Sequence, residues 1–197
     1  MVDKYALIRE MKQYAEVNNV PIMMDEGIDF LTTFILKNHV KNILEIGTAI
    51  GYSAIMMALV DPNVKITTIE RDEIRYLEAL KNVKAFDLEN RITLIYNDAF
   101  NVKLDEKFDL IFIDAAKAQN IKFFEMFERN LEYRGVIITD NLKFHGLVEK
   151  KEEEIKSKNL RSLVRKIKDY IDYLKTNEKY NTEFFEVGDG ISVSTRK

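Results

Sequence analysis

Three oxygen-bearing side chains follow two apolar runs of the sequence, and their types suit the binding of a hard cation. Asp114 follows the run 108–113. Asp140 and Asn141 follow the run 135–139. Carboxylate and amide oxygens are the ligands that Mg²⁺ and Ca²⁺ prefer, whereas zinc favours nitrogen and sulfur. Aspartate and asparagine are also common in turns after strands, so the residue types alone leave both interpretations open.

A glycine-containing turn within residues 42–53 indicates a second kind of chemistry. An apolar run ends at Glu45, and Gly47 and Gly51 follow with the spacing Glu-x-Gly-x-x-x-Gly. Glycine lacks a Cβ atom, so the backbone can turn sharply and a ligand can lie against it. The spacing is neither that of dinucleotide enzymes nor that of a nucleoside triphosphate loop. We therefore predict a nucleoside ligand without a pyrophosphate, for which S-adenosylmethionine is the candidate, although a purely structural turn has the same pattern.

Two more acidic residues follow predicted strands and suit the remaining parts of a nucleoside. Glu70 comes about 20 residues after the glycine turn, where a carboxylate accepts hydrogen bonds from ribose hydroxyls. Asp98 is placed to accept from the adenine amino group. The alternatives are a solvated glutamate before a helix for Glu70 and a cap or turn residue for Asp98.

These residues require a sheet whose strands end at one edge. Strands are predicted before the glycine turn and at 64–69, 92–96, 108–113 and 135–139, and helical patterns at 7–15, 28–35, 53–60, 72–86 and 121–131 alternate with them. Such alternation is typical of a parallel, doubly wound sheet. Residues 184–194 then predict two strands around Gly188-Asp189-Gly190. A terminal antiparallel hairpin distinguishes the methyltransferase variant of this α/β fold from dehydrogenases.

The composition fits one domain and narrows the classes of partner. The 197 residues, 46% of them hydrophobic, are enough for a sizeable core. The absence of cysteine excludes disulfides, thiolate metal sites and cysteine nucleophiles. The charged beginning is unlike a signal peptide, and no apolar run reaches the roughly 20 residues of a membrane span, so we expect a cytoplasmic protein. A net charge of −3 provides no general attraction to nucleic acid.

Three ordered motifs resemble those of the metal-dependent O-methyltransferases, the family that contains the catechol and caffeoyl-CoA enzymes. They occupy residues 44–54, 113–117 and 139–146, and the similarity extends to 21–27 and 188–190. The resemblance implies a Rossmann-like class I methyltransferase fold with a mostly parallel seven-stranded sheet and helices on both faces. It implies a single domain at 1–197, with an N-terminal helical cap at 1–38 and a helical insertion at 147–178. It also suggests a homodimer.

The same resemblance implies specific roles for individual residues. Asp114, Asp140 and Asn141 match the metal triad for Mg²⁺ or another divalent cation, and Lys117 matches the catalytic lysine. The implied contacts with S-adenosylmethionine are made by Met23, Glu45, Gly47, Ser53, Glu70, Asp98, Ala99 and Asp114. A metal-bound acceptor with two adjacent oxygens is then methylated on one of them. A non-catalytic module that binds S-adenosylmethionine or RNA is disfavoured, because pure binding needs neither the triad nor the lysine.

A basic stripe bears on the identity of the acceptor. Lys158, Arg161, Arg165 and Lys168 follow helical spacing beside an apolar stripe. Such a stripe is commonly a solvated helix face, but it can also bind RNA phosphates. Segments 13–23, 161–170 and 185–194 look most like the bacterial tRNA 5-hydroxyuridine methyltransferases, while the acidic run 152–154 departs from that pattern. This likeness implies methylation of the wobble uridine-34 in a tRNA anticodon loop to 5-methoxyuridine, and the alternative is a catechol-like small molecule.

Overall fold

The computed structural model describes residues 3–197, and the seven strands in that range form one sheet. The strands are β1 (Asn42–Ile46), β2 (Lys65–Glu70), β3 (Ile92–Tyr96), β4 (Phe108–Ile113), β5 (Leu131–Thr139), β6 (Tyr180–Phe185) and β7 (Ile191–Arg196). Their order across the sheet is β3-β2-β1-β4-β5-β7-β6. Strands β1 to β5 pair in parallel, and β7 runs antiparallel between β5 and β6. The predicted fold class is confirmed.

Six α-helices connect or cover these strands within the described range. They are α1 (Lys4–Val17), α2 (Asp25–Lys37), α3 (Tyr52–Val60), α4 (Glu73–Ala85), α5 (Asn120–Phe127) and α6 (Lys158–Thr176). Helix α1 begins where the Asp3 carboxylate accepts from the backbone N–H groups of Tyr5 and Ala6. The first two residues of the predicted cap at 1–38 lie outside the described residues. None of the helices in 3–197 combines the length and apolar character that crossing a membrane requires.

The core consists of two apolar layers, one on each face of the sheet. In β4, Leu110 and Phe112 pack in the layer that contains Leu31 of α2. The alternate residues Ile111 and Ile113 pack in the other layer, with aromatic residues of α5 and α6. Because both faces are covered, β4 has the continuous apolar sequence of a buried parallel strand. This burial fixes the carboxyl end of β4, where Asp114 follows.

The start of β5 differs from the prediction. The helical pattern at 121–131 predicted a helix, which was wrong for its last part, because α5 ends at Phe127 and β5 already begins at Leu131. The Asn130 side-chain amide donates to the carbonyl oxygens of Leu104 and Glu106 at 2.8 and 2.9 Å. These two hydrogen bonds anchor the turn between α5 and β5. Residues 132–134 are exposed and polar or aromatic, so they carry no apolar alternation that would have indicated a strand.

Candidate active site

A cavity of about 560 Å³ lies at the carboxyl ends of the central parallel strands. The predicted site residues that line it are Met23, Gly47, Ser53, Glu70, Asp98, Ala99, Asp114, Lys117 and Asn141. Glu45 and Asp140 are buried next to the cavity rather than on its wall. The sheet therefore brings together residues that are separated by more than a hundred positions in the sequence, as the strand-end argument predicted.

The glycine turn brings the end of β1 close to the end of β4. Gly47 has a φ of 101°, and a Cβ atom on it would lie 2.2 Å from the carbonyl oxygen of Asp114. Its N–H group donates to the carbonyl oxygen of Ile69 at 3.0 Å, at the end of β2. Gly51, with a φ of 83°, then begins α3. Only glycine fits at position 47, because both the left-handed backbone and the close approach exclude a side chain.

Glu45 is buried beneath the cavity and does not line its wall. Its carboxyl group accepts from the hydroxyls of Ser53 and Thr68, both at 2.5 Å, and Thr68 is hydrogen-bonded to Thr48 at 2.6 Å. Burial raises the pKa of Glu45 to about 8, although the two hydroxyls oppose the shift. The predicted direct contact with the cofactor is therefore corrected to an indirect one, in which Glu45 orients Ser53 on the cavity wall.

Glu70 is held in a fixed orientation at the end of β2. One carboxylate oxygen accepts from the N–H of Ala49 at 2.8 Å. The other accepts from the N–H groups of Arg71 and Asp72 at 2.9 and 2.8 Å. Three backbone donors leave part of the acceptor capacity of the carboxylate free, since an ionised carboxylate has about four lone-pair positions. The side chain is thus both oriented and able to accept from a ligand hydroxyl.

Asp98 caps a short turn, which is one of the two interpretations that the sequence left open, and it also lines the cavity. Its Oδ1 accepts from the N–H of Phe100 at 3.0 Å, which caps the short 3-10 turn Ala99–Asn101. Its other oxygen lies 3.5 Å from the Arg71 guanidinium, and both residues line the cavity. The Phe100 ring stacks on Phe123 at 4.8 Å and lines the same region. Sequence reasoning missed this aromatic pair, because it became recognisable only once α5 was folded against the end of β3.

The predicted metal triad converges. The Asn141 amide nitrogen lies 2.8 Å from Asp114 Oδ1 and 3.0 Å from Asp140 Oδ2. The other Asp140 oxygen is buried and has no hydrogen-bond partner among residues 3–197. Asn141 adopts a φ of 69°, an uncommon backbone conformation that turns its side chain toward the two carboxylates.

The charge balance of the triad fits a cation. Burial raises the pKa of Asp140, and the neighbouring Asp114 carboxylate raises it further. Burial likewise raises the pKa of Asp114, while the Lys117 ammonium opposes the shift. No cluster of three or more carboxylate, imidazole or thiolate groups suited to a metal exists among the described residues, and the third oxygen-bearing side chain beside the two carboxylates is the Asn141 amide. Rotation of that amide by half a turn directs its oxygen to the same place.

Lys117 lies beside the triad. It begins the 3-10 turn Lys117–Gln119 directly after β4, and its ammonium lies 5.8 Å from the centre of the Phe144 ring. The aromatic face and the two carboxylates both attract this cation, which limits where the flexible side chain can lie. The catalytic lysine of the prediction is thus placed at the wall of the cavity, next to the proposed ligands.

The N-terminal cap closes the cavity on one side. Met23 lines it, and the chain continues directly into α2, where Asp25 accepts from the Lys12 ammonium at 2.6 Å. The Tyr52 hydroxyl donates to the same Asp25 oxygen at 3.3 Å, and its ring forms part of the cavity wall. Sequence reasoning missed Tyr52, although it stands next to Ser53 in the glycine motif. The cap is therefore attached to the helix that follows the glycine turn.

The basic stripe lies on α6 and is partly neutralised. Arg165 forms an ion pair with Glu152, a member of the acidic run that the sequence analysis noted. The Lys168 ammonium lies 3.5 Å from the carbonyl oxygen of Lys150. Lys158 is exposed and Arg161 is half-buried. The acidic run therefore folds onto the middle of the stripe.

The mostly parallel sheet, its terminal hairpin and the cavity at the strand ends define a Rossmann-like methyltransferase. More narrowly, the chain belongs to the O-methyltransferase family, whose model matches residues 2–197. The chain is similar to a caffeoyl-CoA O-methyltransferase-like protein of known structure from Staphylococcus aureus. The two are 40% identical with a TM-score of 0.90, over 96% of this chain and 92% of that one.

Two further relatives support the family assignment. An O-methyltransferase from Bacillus cereus, whose crystal structure is of a complex with SAH, is 25% identical, with a TM-score of 0.83 over 100% of this chain and 93% of that one. The caffeoyl-CoA O-methyltransferase of Populus kitakamiensis is 26% identical over 193 residues, which are 94% of this chain and 82% of that protein. The predicted family is confirmed.

Proposed function

We propose that the protein transfers the methyl group of S-adenosylmethionine to a hydroxyl of a small molecule with two adjacent oxygens, assisted by a divalent cation. The observation that carries this proposal is the convergence of Asp114, Asp140 and Asn141, with Lys117 beside them, at one wall of a cavity. The glycine turn and the oriented Glu70 carboxylate line another part of the same cavity. Residues suited to a cation and residues suited to a nucleoside therefore line the same cavity.

The cofactor is proposed to lie along the glycine turn, with its ribose at Glu70 and its adenine near Asp98. Glu70 retains acceptor capacity for a ribose hydroxyl, and Gly47 presents backbone without a side chain. The SAH complex of the Bacillus relative supports this choice of cofactor. When bound, S-adenosylmethionine supplies a methyl group activated by its sulfonium.

Asp114, Asp140 and Asn141 are proposed to hold the divalent cation. All their ligand atoms are oxygens once the Asn141 amide is rotated, which favours Mg²⁺ or Ca²⁺ over zinc. The unpaired Asp140 oxygen and the raised pKa values of both carboxyl groups are costs that a bound cation offsets. When bound, the cation supplies Lewis acidity that stabilises an acceptor oxyanion.

Lys117 is proposed to take the proton of the acceptor hydroxyl. Its amine, once deprotonated, would receive the hydroxyl proton as the acceptor oxygen takes the methyl group and the sulfur of the cofactor leaves as a neutral thioether. Lys117 is suited to this role because its amine lines the cavity next to the triad. A positioned general base typically accelerates a reaction by about 10²–10⁴-fold.

A small molecule is the proposed acceptor for two reasons. Arg165, in the middle of the basic stripe, is paired with Glu152, which reduces the positive charge available to an RNA backbone. In addition, the Populus relative is named for caffeoyl-CoA, a small-molecule substrate with adjacent oxygens on an aromatic ring. Catechol-type compounds have the same pair of oxygens.

The tRNA anticodon loop is a second candidate acceptor. Lys158, Arg161 and Lys168 form no ion pair with any carboxylate of residues 3–197, so these three charges stay available to phosphates. A 5-hydroxyuridine also offers two adjacent oxygens, its 5-hydroxyl and 4-carbonyl. Both acceptors fit the same proposed metal chemistry.

The test compares the two acceptors with one enzyme preparation. The purified protein is incubated with S-adenosylmethionine, Mg²⁺ and either caffeic acid or tRNA that contains 5-hydroxyuridine, and the products are analysed by mass spectrometry. We expect methylated caffeic acid, and we expect its formation to stop with a chelator or with Asp140→Ala. Transfer to tRNA alone would replace the small-molecule proposal by the second candidate. Activity that survives both chelation and Asp140→Ala would exclude the metal triad.

A further inference from the structure

We infer that Asp189, in the turn between β6 and β7, is a positioning residue that holds the loop 141–146 so that Asn141 faces Asp114 and Asp140. This inference rests on the proposed metal site. In the sequence, Asp189 was interpreted only as part of a hairpin turn. The fold places that turn directly against the loop, because β7 pairs with β5 and Ser192 lies opposite Thr139, the last residue before the triad.

Three hydrogen bonds connect the turn to the loop. The Asp189 carboxylate oxygen Oδ1 accepts from the backbone N–H of His145 at 2.6 Å. The Asp189 carbonyl oxygen accepts from the N–H of Lys143 at 2.7 Å, and the Gly190 carbonyl oxygen accepts from the N–H of Leu142 at 3.0 Å. The two backbone contacts fix the start of the loop. The side-chain contact of Asp189 is the one that fixes its far end.

The loop needs such external contacts because its backbone is strained. Asn141, Phe144 and His145 have φ values of 69°, 46° and 55°, a region that residues other than glycine rarely occupy. Such backbone angles are unfavourable for these residues, and the conformation persists only when its surroundings enforce it. A loop without the Asp189 contact would relax toward ordinary backbone angles. Asn141, whose own backbone is one of the strained positions, would then be held toward the carboxylates only by the two backbone contacts at the start of the loop.

Only one oxygen of Asp189 takes part in this contact. The residue is 6% exposed, and its Oδ2 atom has no hydrogen-bond partner among residues 3–197. The nearest basic group is the His145 imidazole, whose Nδ1 lies 3.7 Å from Oδ2, beyond hydrogen-bonding distance. An asparagine in place of Asp189 keeps the oxygen that accepts from His145 and removes no other hydrogen bond. The hydrogen bond that positions the loop therefore depends on the acceptor oxygen, although the Asp189 charge also acts on the carboxyl groups of Asp114 and Asp140.

Binding of Mn²⁺ to the whole protein without any acceptor tests the inference. Titration calorimetry is performed with wild type, Asp189→Ala and Asp189→Asn, and S-adenosylmethionine affinity is measured on the same samples as the criterion of an intact fold. Residues that orient metal ligands typically contribute about 10–100-fold to metal affinity, so we expect a loss of that size for Asp189→Ala. We expect Asp189→Asn to restore wild-type affinity. Cofactor affinity is expected to stay the same in all three proteins.

Two matched variants separate the contact from other properties of the region. Glu186→Ala removes an exposed carboxylate that lies 3.4 Å from the Lys143 ammonium of the loop, and because exposed ion pairs contribute little, it is expected to leave Mn²⁺ affinity unchanged. His145→Ala keeps the backbone N–H and is also expected to bind Mn²⁺ normally. If Asp189→Ala fails to bind the cofactor, Asp189→Ser replaces it, because its shorter side chain also leaves the His145 N–H unpaired.

Each outcome gives a definite answer. Wild-type Mn²⁺ affinity in Asp189→Ala would overturn the positioning role while leaving the metal site in place. Equal losses in Asp189→Ala and Asp189→Asn would assign the effect to charge and would also overturn it. A wild-type protein that binds S-adenosylmethionine but no Mn²⁺ would refute the proposed metal site and, with it, this role for Asp189.

Discussion

The two walls of the cavity satisfy their polar groups in different ways. The cofactor wall, formed by Gly47, Ser53 and Glu70, is held by hydrogen bonds within β1, β2 and the turns that follow them. The metal wall, formed by Asp114, Asp140, Asn141 and Lys117, depends on β4, β5 and a distant hairpin turn. It also leaves a buried carboxylate oxygen unpaired and keeps two buried acids side by side.

We therefore expect the cofactor wall to be ordered before any ligand binds, and the metal wall to be stabilised by its ligand. The carboxylate of Glu70 has three backbone donors, so its orientation is stable before any cofactor arrives. The carboxylates of the metal wall have no comparable set of donors and are expected to be stabilised by a cation. The variants below test this contrast, in order of decreasing expected effect.

Asp140→Asn is expected to act in opposite directions on activity and on stability. Without this ligand, methyl transfer should fall by about 1,000-fold or more, equal to about 4 kcal/mol. The free energy of unfolding of the metal-free protein should rise by about 1–2 kcal/mol, because one of two adjacent buried acids becomes neutral. Urea unfolding in a chelating buffer, together with a methyl-transfer assay in Mg²⁺, measures both effects. A lower stability of the variant would contradict the contrast between the walls.

Lys117→Met tests the chemical step separately from binding. The variant keeps a long apolar side chain next to Phe144 but removes the amine, so kcat should fall by about 10²–10⁴-fold. Affinity for S-adenosylmethionine should stay as in wild type, since the cofactor wall is unchanged. Steady-state kinetics and calorimetry give the two values. A change confined to KM for the acceptor would show that Lys117 binds the substrate and does not take its proton.

Alanine substitutions at Gly47 and Gly146 compare a position that has both an unfavourable φ and a steric clash with a position that has only the unfavourable φ. Gly47→Ala should lower the free energy of unfolding by about 3 kcal/mol or more, because the new Cβ adds a backbone clash to a left-handed φ of 101°. Gly146→Ala, in the loop after Asn141, has a φ of 75° but no atom within 4 Å of the new Cβ. It should cost only about 1–2 kcal/mol. Equal losses in urea unfolding would show that backbone strain, and not the contact with Asp114, makes Gly47 necessary.

Glu45→Gln tests the cofactor wall through pH. The pKa of Glu45 is raised from 4.5 to about 8, so the folded protein keeps a proton that the unfolded chain releases within that range. Wild type should therefore lose stability as the pH rises from about 5 to about 8, by at most about 1.4 kcal/mol per pH unit from this group. Glutamine imitates the protonated form and should lack this decline. Urea unfolding at several pH values checks the difference, and parallel curves for the two proteins would disprove it.

The sequence predicted the residues that follow strands better than the residues that support them. Asp114, Asp140 and Asn141 could be found because continuous apolar runs mark buried strands, and their carboxyl ends meet at one edge. The resemblance implied that Glu45 contacts the cofactor, but neither it nor the strand pattern indicates how deeply the residue is buried. Its burial depends on Thr68 of the neighbouring strand, which is adjacent only in the folded sheet.

Supporting contacts were missed where they join segments that are far apart in the chain. Asp189 and His145 are separated by 44 positions, and the pattern Gly-Asp-Gly predicts a turn without indicating what the turn touches. The start of β5 was missed for a related reason. After the buried Leu131, residues 132–134 of the strand are exposed. The turn before the strand is anchored by Asn130, whose hydrogen bonds to residues 104 and 106 have no signature in local periodicity.

The position of β7 in the sheet has a consequence for how the protein is made. Synthesis on the ribosome proceeds from the N-terminus, and the strands β1 to β3 of the cofactor wall are complete once residue 96 has been added. Loop 141–146 is synthesised before the residue that positions it, because Asp189 is translated 44 residues after His145. Gly47, Ser53 and Glu70 are therefore synthesised well before the residue that positions the loop of the proposed metal site. A chain that ends just before residue 189 would lack both β7 and the Asp189 contact, so the loop 141–146 would lose the hydrogen bonds that join it to the hairpin.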